Sequence, residues 1–314
     1  MANILDLRII ITNILLAIRV IRLISNKGLF LTLRSCLRAA PIFLNFVGHI
    51  KLTKILLHPH VIGLTKRHPR LLYKYLGNYV ARCFPRNTRL TILTNHYNYL
   101  TKYVNDDFLT RIFEEKIILW REFSGENLFS ITLNFPHASY DDDCEGDLSL
   151  VFSANGLSLY VMSFTIIPGQ VIKIANDQAI FISRVQGLSS HLALLRQATK
   201  NFHYISPAAL LLVAVQAIAL PLNIKAIVGV STGAQISSRN ETDCFFFDYD
   251  EFWRSADAER MNDNMFLLPV PLPEKPIRMI KQTRRSKVLR KRKFKRQLAE
   301  QVSGTFSRNF LQNR

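Results

Sequence analysis

Apolar residues recur at three- and four-residue steps through the first part of the chain, and this period predicts helices. The predicted helical segments are Leu5–Ile24, Leu29–Phe46, Leu71–Phe84, Thr88–Tyr103 and Phe108–Phe123. Prolines stand between several of these segments, where helices begin or end. Asn105-Asp106-Asp107 is typical of a helix start, because a capping oxygen and acidic side chains suit the first-turn amides.

After Gly125 the period changes to strict alternation, which predicts strands. The predicted strands are Leu128–Phe135, Asp147–Ser153, Leu157–Ile166, Ala179–Arg184, Ile224–Val230 and Cys244–Phe247. Asn155-Gly156 predicts a tight hairpin turn. Ser206–Leu220 predicts a strongly apolar helix, with Ser206 as N-cap and Pro207 at its first position. The pattern predicts an α+β fold, in which a helical N-terminal region packs on a mixed-sheet domain followed by a basic C-terminal helix.

The apolar stretch Ile9–Ile24 resembles a targeting signal but does not meet the requirements for one. Arg19 and Arg22 interrupt it, and a helix that spans a membrane needs about 20 largely apolar residues. No small-residue cleavage site follows it. We therefore predict no spanning helix. The stretch is interpreted as a helix packed on the core, with a helix lying on a membrane surface as the alternative.

Four cysteines lie far apart, without metal-ligand spacing, and this suits reduced thiols better than disulfides. We therefore predict a cytoplasmic protein, with peripheral attachment to the inner membrane left open.

The net charge of +18 is divided unevenly along the chain. Residues 1–124 carry 19 Lys/Arg against 6 Asp/Glu, residues 125–277 carry 9 against 16, and residues 278–314 carry 13 against 1. Two basic segments thus flank an acidic middle. The same boundaries divide the predicted organisation into a helical region, an α+β domain and a basic helical tail.

The densest basic run is Arg278–Arg296, with 11 Lys/Arg and no acidic residue. The candidate residues for binding an anionic surface are Arg284, Arg285, Lys287, Arg290 and Arg292. Such a run suits anionic lipid, nucleic acid or an acidic surface of the same protein, and a merely solvated helix is the remaining alternative. Nucleic acid is less favoured, because no aromatic residues are interleaved with the basic ones as in single-strand binders.

Several short stretches in a fixed order resemble the VirK/YbjX family of bacterial proteins. They are HPRLLY (68–73), ISRVQG (182–187), RQATK (196–200) with His203, IVGVS (227–231), DYDEFW (248–253) and FLLP (266–269), followed by the basic tail. The resemblance covers about residues 50–300. It implies a virulence-associated accessory protein, which supports surface-protein localisation or resistance to envelope stress and cationic peptides. It implies no settled enzymatic activity.

This sequence departs from the family pattern at three places. Tyr204 stands where the family usually has a glycine, and Ala256-Asp257 stand where it often has Gly-Gly. A histidine that the family usually has within residues 233–238 is absent.

The alternative hypothesis is an acyl-CoA-dependent transferase. The order of strand, Arg184-Val185-Gln186-Gly187, linker, helix and strand is similar to the cofactor-binding half of the N-acetyltransferase (GNAT) fold. The candidate residues near the cofactor are Arg184, Gln186, Lys200 and His203, since a helix start with nearby cations binds a pyrophosphate. However, Phe202–Ile205 stand where a glycine-rich loop is expected, and bulky side chains hinder the approach of a phosphate. The favoured interpretation of His203 is a hydrogen-bonded histidine at a helix start, and a general base or phosphate contact is the alternative.

The remaining polar groups carry little specific chemistry. The run Asp141–Asp143 with Glu145 and Asp147 lacks the ligand order of a calcium loop, and is interpreted as a solvated loop or a partner for the basic segments. His68 and His96 lack metal-ligand spacing and are interpreted as structural. Asp248 to Asp250 is interpreted as a helix cap. We predict no metal site and identify no catalytic residue.

Overall fold

The protein was analysed as a computed structural model, which describes residue 42 and residues 45–136, 142–187, 192–237 and 247–312. The helices are α1 (Phe46–Leu56), α2 (Pro59–Arg67), α3 (Arg86–Tyr103), α4 (Asp106–Glu114), α5 (Leu192–Asn201), α6 (Pro207–Ala219), α7 (Tyr249–Ser255) and α8 (Gln282–Phe310). The strands are β1 (Ile117–Ser124), β2 (Asn127–Asn134), β3 (Leu148–Ala154), β4 (Leu157–Pro168), β5 (Gln178–Gly187), β6 (Ala226–Val230), β7 (Glu259–Asn262) and β8 (Met265–Pro269). A 3₁₀ helix covers Pro69–Leu76.

The eight described strands form one mixed sheet in the order β1-β2-β3-β4-β5-β6-β8-β7. Neighbouring strands are antiparallel except β5 and β6, which are parallel. Helices pack against this sheet: α3 contacts β4, and α6 contacts β3, β4 and β5. The predicted α+β class, with helices on a mixed sheet and a basic C-terminal helix, is confirmed.

The strands β2 to β5 lie where the alternating pattern predicts them. The turn between β3 and β4 places Asn155 and Gly156 at φ of +50° and +81°, the left-handed conformations that a two-residue hairpin needs. Asparagine and glycine tolerate these angles better than other residues. The hairpin prediction is therefore confirmed together with its physical reason.

Helix α6 also lies where the sequence predicts it. The Ser206 hydroxyl accepts a hydrogen bond from the amide of Ala209 (3.3 Å), and Pro207 occupies the first helical position. Nearly every side chain of α6 is buried, because the helix is enclosed between the sheet and α8. This burial explains a helix that is apolar on all sides.

Two predicted helices end earlier than their apolar patterns suggest. The prediction of a helix over Phe108–Phe123 was wrong beyond Glu114, since Ile117–Ser124 forms β1 and pairs with β2. The prediction over Leu71–Phe84 was wrong beyond Leu76, where the 3₁₀ helix stops before Gly77. A short apolar run fits the period of a helix and the period of a strand equally well. Its contacts with the rest of the fold therefore determine which of the two it forms.

The hairpin of β7 and β8 was not predicted. The predicted strand Cys244–Phe247 falls almost wholly outside the described residues, and Phe247 itself belongs to no strand. The predicted helix over 5–24 and most of the one over 29–46 also lie outside them. None of the helices in the described part of the chain is long and apolar enough to cross a membrane.

Helix α8 has two dissimilar parts. Its C-terminal part buries every fourth residue and contacts α6, β1 and α4. The buried residues are Phe294, Leu298, Val302, Phe306 and Phe310. Its N-terminal part is mostly exposed and carries the basic run. The predicted boundary after Ser124 falls in the turn between β1 and β2, and the one after Ile277 falls just before α8.

Candidate functional site: a basic surface and a buried carboxylate cluster

The four predicted cofactor residues lie on two faces of the sheet. Arg184 and Gln186 are on β5, where the Arg184 Nε lies 3.0 Å from the Gln186 side-chain oxygen. Arg184 is in register with Ser163, whose hydroxyl contacts that of Ser149, so it shares their face.

Lys200 and His203 lie elsewhere, at the C-terminal end of α5. The neighbouring Phe202 packs on Phe152, a β3 residue that alternation places on the opposite face from Ser149, and on Phe294 of α8. The ring of His203 also meets Phe294 edge-on, at 5.6 Å. The structure thus brings together Arg184 with Gln186, and Lys200 with His203, but not the two pairs.

The segment Arg278–Lys293, here called the basic surface, has nine Lys/Arg and no acidic residue. Arg284, Lys287 and Arg290 are exposed to solvent. Arg285 and Arg292 have structural partners instead. The Arg285 Nε donates to the carbonyl of Ile280 (3.0 Å), and the Arg292 Nε lies 3.4 Å from a carboxylate oxygen of Glu274. Three of the five predicted surface residues are therefore oriented toward solvent, while two hold α8 against the chain that precedes it.

The basic surface joins the turn that follows α5. The Lys291 ammonium donates to the carbonyl of Tyr204 (2.9 Å), and the Lys287 ammonium lies 5.0 Å from the centre of the Tyr204 ring. Partial burial and the nearby Lys287 charge lower the pKa of Lys291. Crowded like charges of this kind favour the arrival of an anion.

A separate cluster of charges is buried on the face of the sheet that α3 covers. Asp147 is almost fully buried, and one of its carboxylate oxygens lies 2.8 Å from the Lys74 ammonium. Three hydroxyl groups also donate to this carboxylate, those of Tyr79, Tyr97 and Thr165. Burial raises the pKa of Asp147, but Lys74, His96 and the hydrogen bonds outweigh it, so the pKa is lowered. Asp147 is an ionised, fully partnered group.

Glu145 forms the second half of this buried carboxylate cluster. Its carboxylate lies 3.2 Å from the Arg184 Nε and accepts hydrogen bonds from Gln235 and Ser237. Gly146 joins the two carboxylates at a φ of +150°, and a β-carbon there would lie 3.0 Å from the amide nitrogen of Phe164. Only glycine fits this turn, so the geometry of the two carboxylates depends on it.

The parallel pair β5 and β6 separates close to Glu145. Their last paired residues are Ile182 and Gly229, whereas β5 continues to Gly187, and a register irregularity places Ser183 out of step with β4. Beyond this point the amide of Val185 donates to the hydroxyl of Tyr249 on α7 (3.1 Å). The Tyr249 side chain thus occupies a position where a neighbouring strand would otherwise pair with β5.

Helix α7 is fixed against β6 by one aromatic residue. The Trp253 indole nitrogen donates to the carbonyl of Val230 (2.8 Å), and a β-carbon at Gly229 would come within 2.0 Å of the indole. The Asp248 side chain accepts from the amide of Glu251 (2.9 Å), so the predicted cap is confirmed, although the helix begins at Tyr249.

Of the two interpretations of the acidic run, the solvated loop was wrong for Glu145 and Asp147, which are both buried. The other, a partner for the basic segments, is confirmed for Asp147, which pairs with Lys74. The partners of these two carboxylates, Lys74 and Arg184, come from distant parts of the chain, so no local pattern reveals them. A single lysine within the apolar stretch Leu71–Leu76 was the one available signal. Among the described residues, no group of three or more His, Cys, Asp or Glu side chains is placed to hold a metal ion.

The two histidines interpreted as structural are both packed inside the described fold or against one of its aromatic rings. His96 is buried, and its Nδ1 accepts from the amide of Ile166 (3.1 Å). Burial lowers the pKa of His96 to about 4, so the ring is neutral at physiological pH. His68 lies against the ring of Phe135, at 5.3 Å.

Fold and site together define an α+β protein with a buried, fully partnered charge cluster and a separate exposed basic surface. Residues 39–304 match the family described as a protein of unknown function, DUF535, and the chain belongs to this family, which is the VirK/YbjX family. The chain is similar to the uncharacterized protein YbjX of Escherichia coli (strain K12). The two are 24% identical over 240 residues, which cover 74% of this chain and 71% of the relative. No solved structure matches the chain.

Proposed function

We propose that this protein is an accessory factor of the bacterial envelope that works from the inner side of the membrane, which it contacts through the basic surface. The observation that carries the proposal is the division of α8. Its C-terminal part is anchored in the core, so its N-terminal part extends a cationic, acid-free segment to solvent on a rigid support.

The charges support a lipid partner through simple electrostatics. The inner leaflet of a bacterial membrane is anionic, and each Lys or Arg near such a surface contributes about 1 kcal/mol of binding free energy. Arg284, Lys287, Arg290 and Lys293 are exposed. Two acidic groups of the middle segment, Glu145 and Asp147, are buried and already partnered by Arg184 and Lys74, so they do not compete for the basic surface. Glu274, from the same segment, pairs with Arg292, which is not among these four exposed residues.

Vesicle binding tests this proposal. The purified protein should co-sediment with vesicles containing phosphatidylglycerol, and not with phosphatidylcholine vesicles, and added salt should weaken the binding. A variant with Gln at Arg284, Lys287, Arg290 and Lys293 should bind roughly several hundredfold more weakly, because each of the four charges contributes about 1 kcal/mol.

The matched control is a variant with Gln at four exposed lysines elsewhere, Lys51, Lys66, Lys116 and Lys225. It has the same net charge as the first variant and should retain most of the binding. Equal losses in both variants would mean that total charge governs binding, and the proposal for α8 would be abandoned.

A second candidate function is acyl transfer from an acyl-CoA, favoured by the separation of β5 and β6 after an irregularity in β5. A chain with amide groups can pair with the part of β5 beyond Ile182, where pairing with β6 has ended, as a peptide adds to a sheet edge. The GNAT-like interpretation is a fold analogy, and a fold alone does not establish a function. Arg184 lies near this edge, but it is already paired with Glu145, and Tyr249 occupies the amide of Val185.

Thermal unfolding with acetyl-CoA and a long-chain acyl-CoA tests this second function. Ligand at 100 times its dissociation constant stabilises a protein by about 2.7 kcal/mol, which gives a shift of a few degrees at this size. A shift that is lost in Arg184→Gln but kept in Lys200→Gln would place the cofactor at β5. No shift at millimolar ligand would remove acyl transfer from consideration.

A further inference from the structure

The turn after α5 presents an aromatic side chain to solvent in an unfavourable backbone conformation. His203 and Tyr204 adopt φ of +56° and +61°, the left-handed region that residues with a β-carbon rarely occupy. The turn is held by a hydrogen bond from the amide of Tyr204 to the carbonyl of Thr199 (2.8 Å). Tyr204 is nevertheless 59% exposed, so burial of its side chain does not compensate for the conformation. Strain of this kind at an exposed residue indicates a functional role.

Two basic side chains contact Tyr204, and two more stand near it along α8 and at the end of α5. Lys287 lies over the face of the Tyr204 ring, Lys291 donates to the backbone carbonyl of Tyr204, and Arg284 shares their side of α8 at a spacing of three and seven residues. Lys200, at the end of α5, is also exposed. An exposed aromatic ring bordered by cations is the arrangement that suits a membrane interface, where tyrosine sits at the headgroup level and lysine and arginine reach the phosphates.

We propose that Tyr204 is an interfacial anchor that enters the headgroup region of an anionic phospholipid bilayer, while Arg284, Lys287 and Lys291 bind the lipid phosphates. This inference rests on the proposed membrane contact and specifies its centre. A bilayer suits this surface better than a nucleic acid, because among the described residues no aromatic ring contacts that of Tyr204, and a single ring offers one stacking platform at most.

Fluorescence of Tyr204→Trp tests the insertion directly. The native Trp120 and Trp253 are buried, with 3% and 0% of their surface exposed, so the new indole is the one that can meet lipid. On phosphatidylglycerol vesicles, its emission should shift to shorter wavelength, and brominated acyl chains should quench it. The control is Val47→Trp. Val47 is 80% exposed on α1, a helix that packs on α3, and an indole there should show neither the shift nor the quenching.

Tyr204→Gly separates binding from folding. Glycine adopts the left-handed conformation without strain, so the midpoint of chemical denaturation should stay the same or rise. Binding to phosphatidylglycerol vesicles should become roughly fivefold weaker, the effect of withdrawing about 40 Å² of apolar ring surface from the bilayer.

The outcomes distinguish the two proposals. If the unaltered protein binds anionic vesicles but Tyr204→Trp is not quenched, or Tyr204→Gly binds equally well, the anchor is wrong and the membrane contact stands. If the unaltered protein does not bind vesicles, or binds DNA or RNA instead, both are wrong.

Discussion

The buried carboxylate cluster and the basic surface use the same kinds of side chain for opposite purposes. Lys74 and Asp147 lie 2.8 Å apart with almost no exposed surface, and hydroxyl groups fill the remaining positions around the carboxylate. Arg284 and Arg290 are surrounded by solvent and by other cations. An ion removed from water must be paired to be tolerated, whereas an exposed ion costs little and remains available to a partner. The cluster therefore stabilises the fold, and the surface is the part that we propose for binding.

Among single substitutions, the largest expected effect comes from breaking the buried pair. Lys74→Met leaves the Asp147 carboxylate buried without its cation, and Asp147→Asn leaves the ammonium in the same position. Each should lower the free energy of unfolding by about 3–5 kcal/mol. Equilibrium denaturation in guanidinium chloride at pH 7 measures the loss.

The double variant and a surface variant serve as controls for this pair. Lys74→Met combined with Asp147→Asn leaves no uncompensated charge, so it should cost less than the two single losses added together. Lys51→Met, at an exposed lysine, should change the free energy by less than about 0.5 kcal/mol. A fully additive double variant would show that the two charges do not interact.

The next effect compares the two parts of α8. Phe306 is buried and meets the ring of Phe108 edge-on at 5.8 Å, so Phe306→Ala should cost about 3–5 kcal/mol. Leu289 is 52% exposed, and Leu289→Ala should cost less than about 0.5 kcal/mol. Equilibrium denaturation in guanidinium chloride compares the losses of unfolding free energy in the two variants. Similar losses would mean that the N-terminal part of α8 is held as firmly as the C-terminal part.

Some of this molecule was predictable from the sequence for local reasons. The alternation in Leu128–Phe135, the Asn155-Gly156 turn and the Ser206-Pro207 helix start are each decided by neighbouring residues. The strand β1 was not, because Ile117–Trp120 is too short an apolar run to distinguish a helix from a strand.

The candidate site was less predictable, because its contacts join distant parts of the chain. Lys74 and Asp147 are 73 residues apart, and Tyr204 and Lys291 are 87 apart. The charge of the basic run was evident from composition. However, Arg292 pairs with Glu274 and Arg285 donates to the carbonyl of Ile280 only because the chain before α8 folds back onto the helix, and no local pattern predicts this.

Acid should destabilise the core before it affects the surface. Burial lowers the pKa of both His49 and His96 to about 4, against about 6.5 in the unfolded chain. Below pH 6.5 the unfolded state therefore binds protons that the folded state does not. The free energy of unfolding should fall by up to about 1.4 kcal/mol per pH unit for each histidine between pH 6.5 and 4, and should be fully restored above pH 6.5. Denaturation at pH 7, 6 and 5 measures the slope, and a flat profile would contradict the burial of these rings.

A smaller effect is expected at the edge of β5. Tyr249→Phe removes the oxygen that accepts from the Val185 amide, and should cost about 1–2 kcal/mol because a buried amide is left without a partner. If an acyl-CoA binds at the edge of β5, Tyr249→Phe should also show a larger thermal shift with that ligand, because the Val185 amide can then donate to it. Tyr204→Phe provides the comparison, because Tyr204 is 59% exposed and the change should alter the free energy of unfolding by less than about 0.5 kcal/mol. A loss as small as that of Tyr204→Phe would contradict the importance of the Val185 contact.

The smallest effect distinguishes two arginines that are two residues apart. Arg290 is exposed, so Arg290→Gln should change the free energy of unfolding by less than about 0.5 kcal/mol. Arg292 is only 17% exposed and contacts Glu274, so Arg292→Gln should cost about 0.5–1 kcal/mol. On anionic vesicles the order should reverse, because Arg290 can reach a phosphate while Arg292 is already occupied, and Arg290→Gln should bind about fivefold more weakly. Denaturation and vesicle titration of the same two variants measure both orders. If the same variant loses more in both unfolding free energy and vesicle affinity, α8 does not contain separate structural and binding charges.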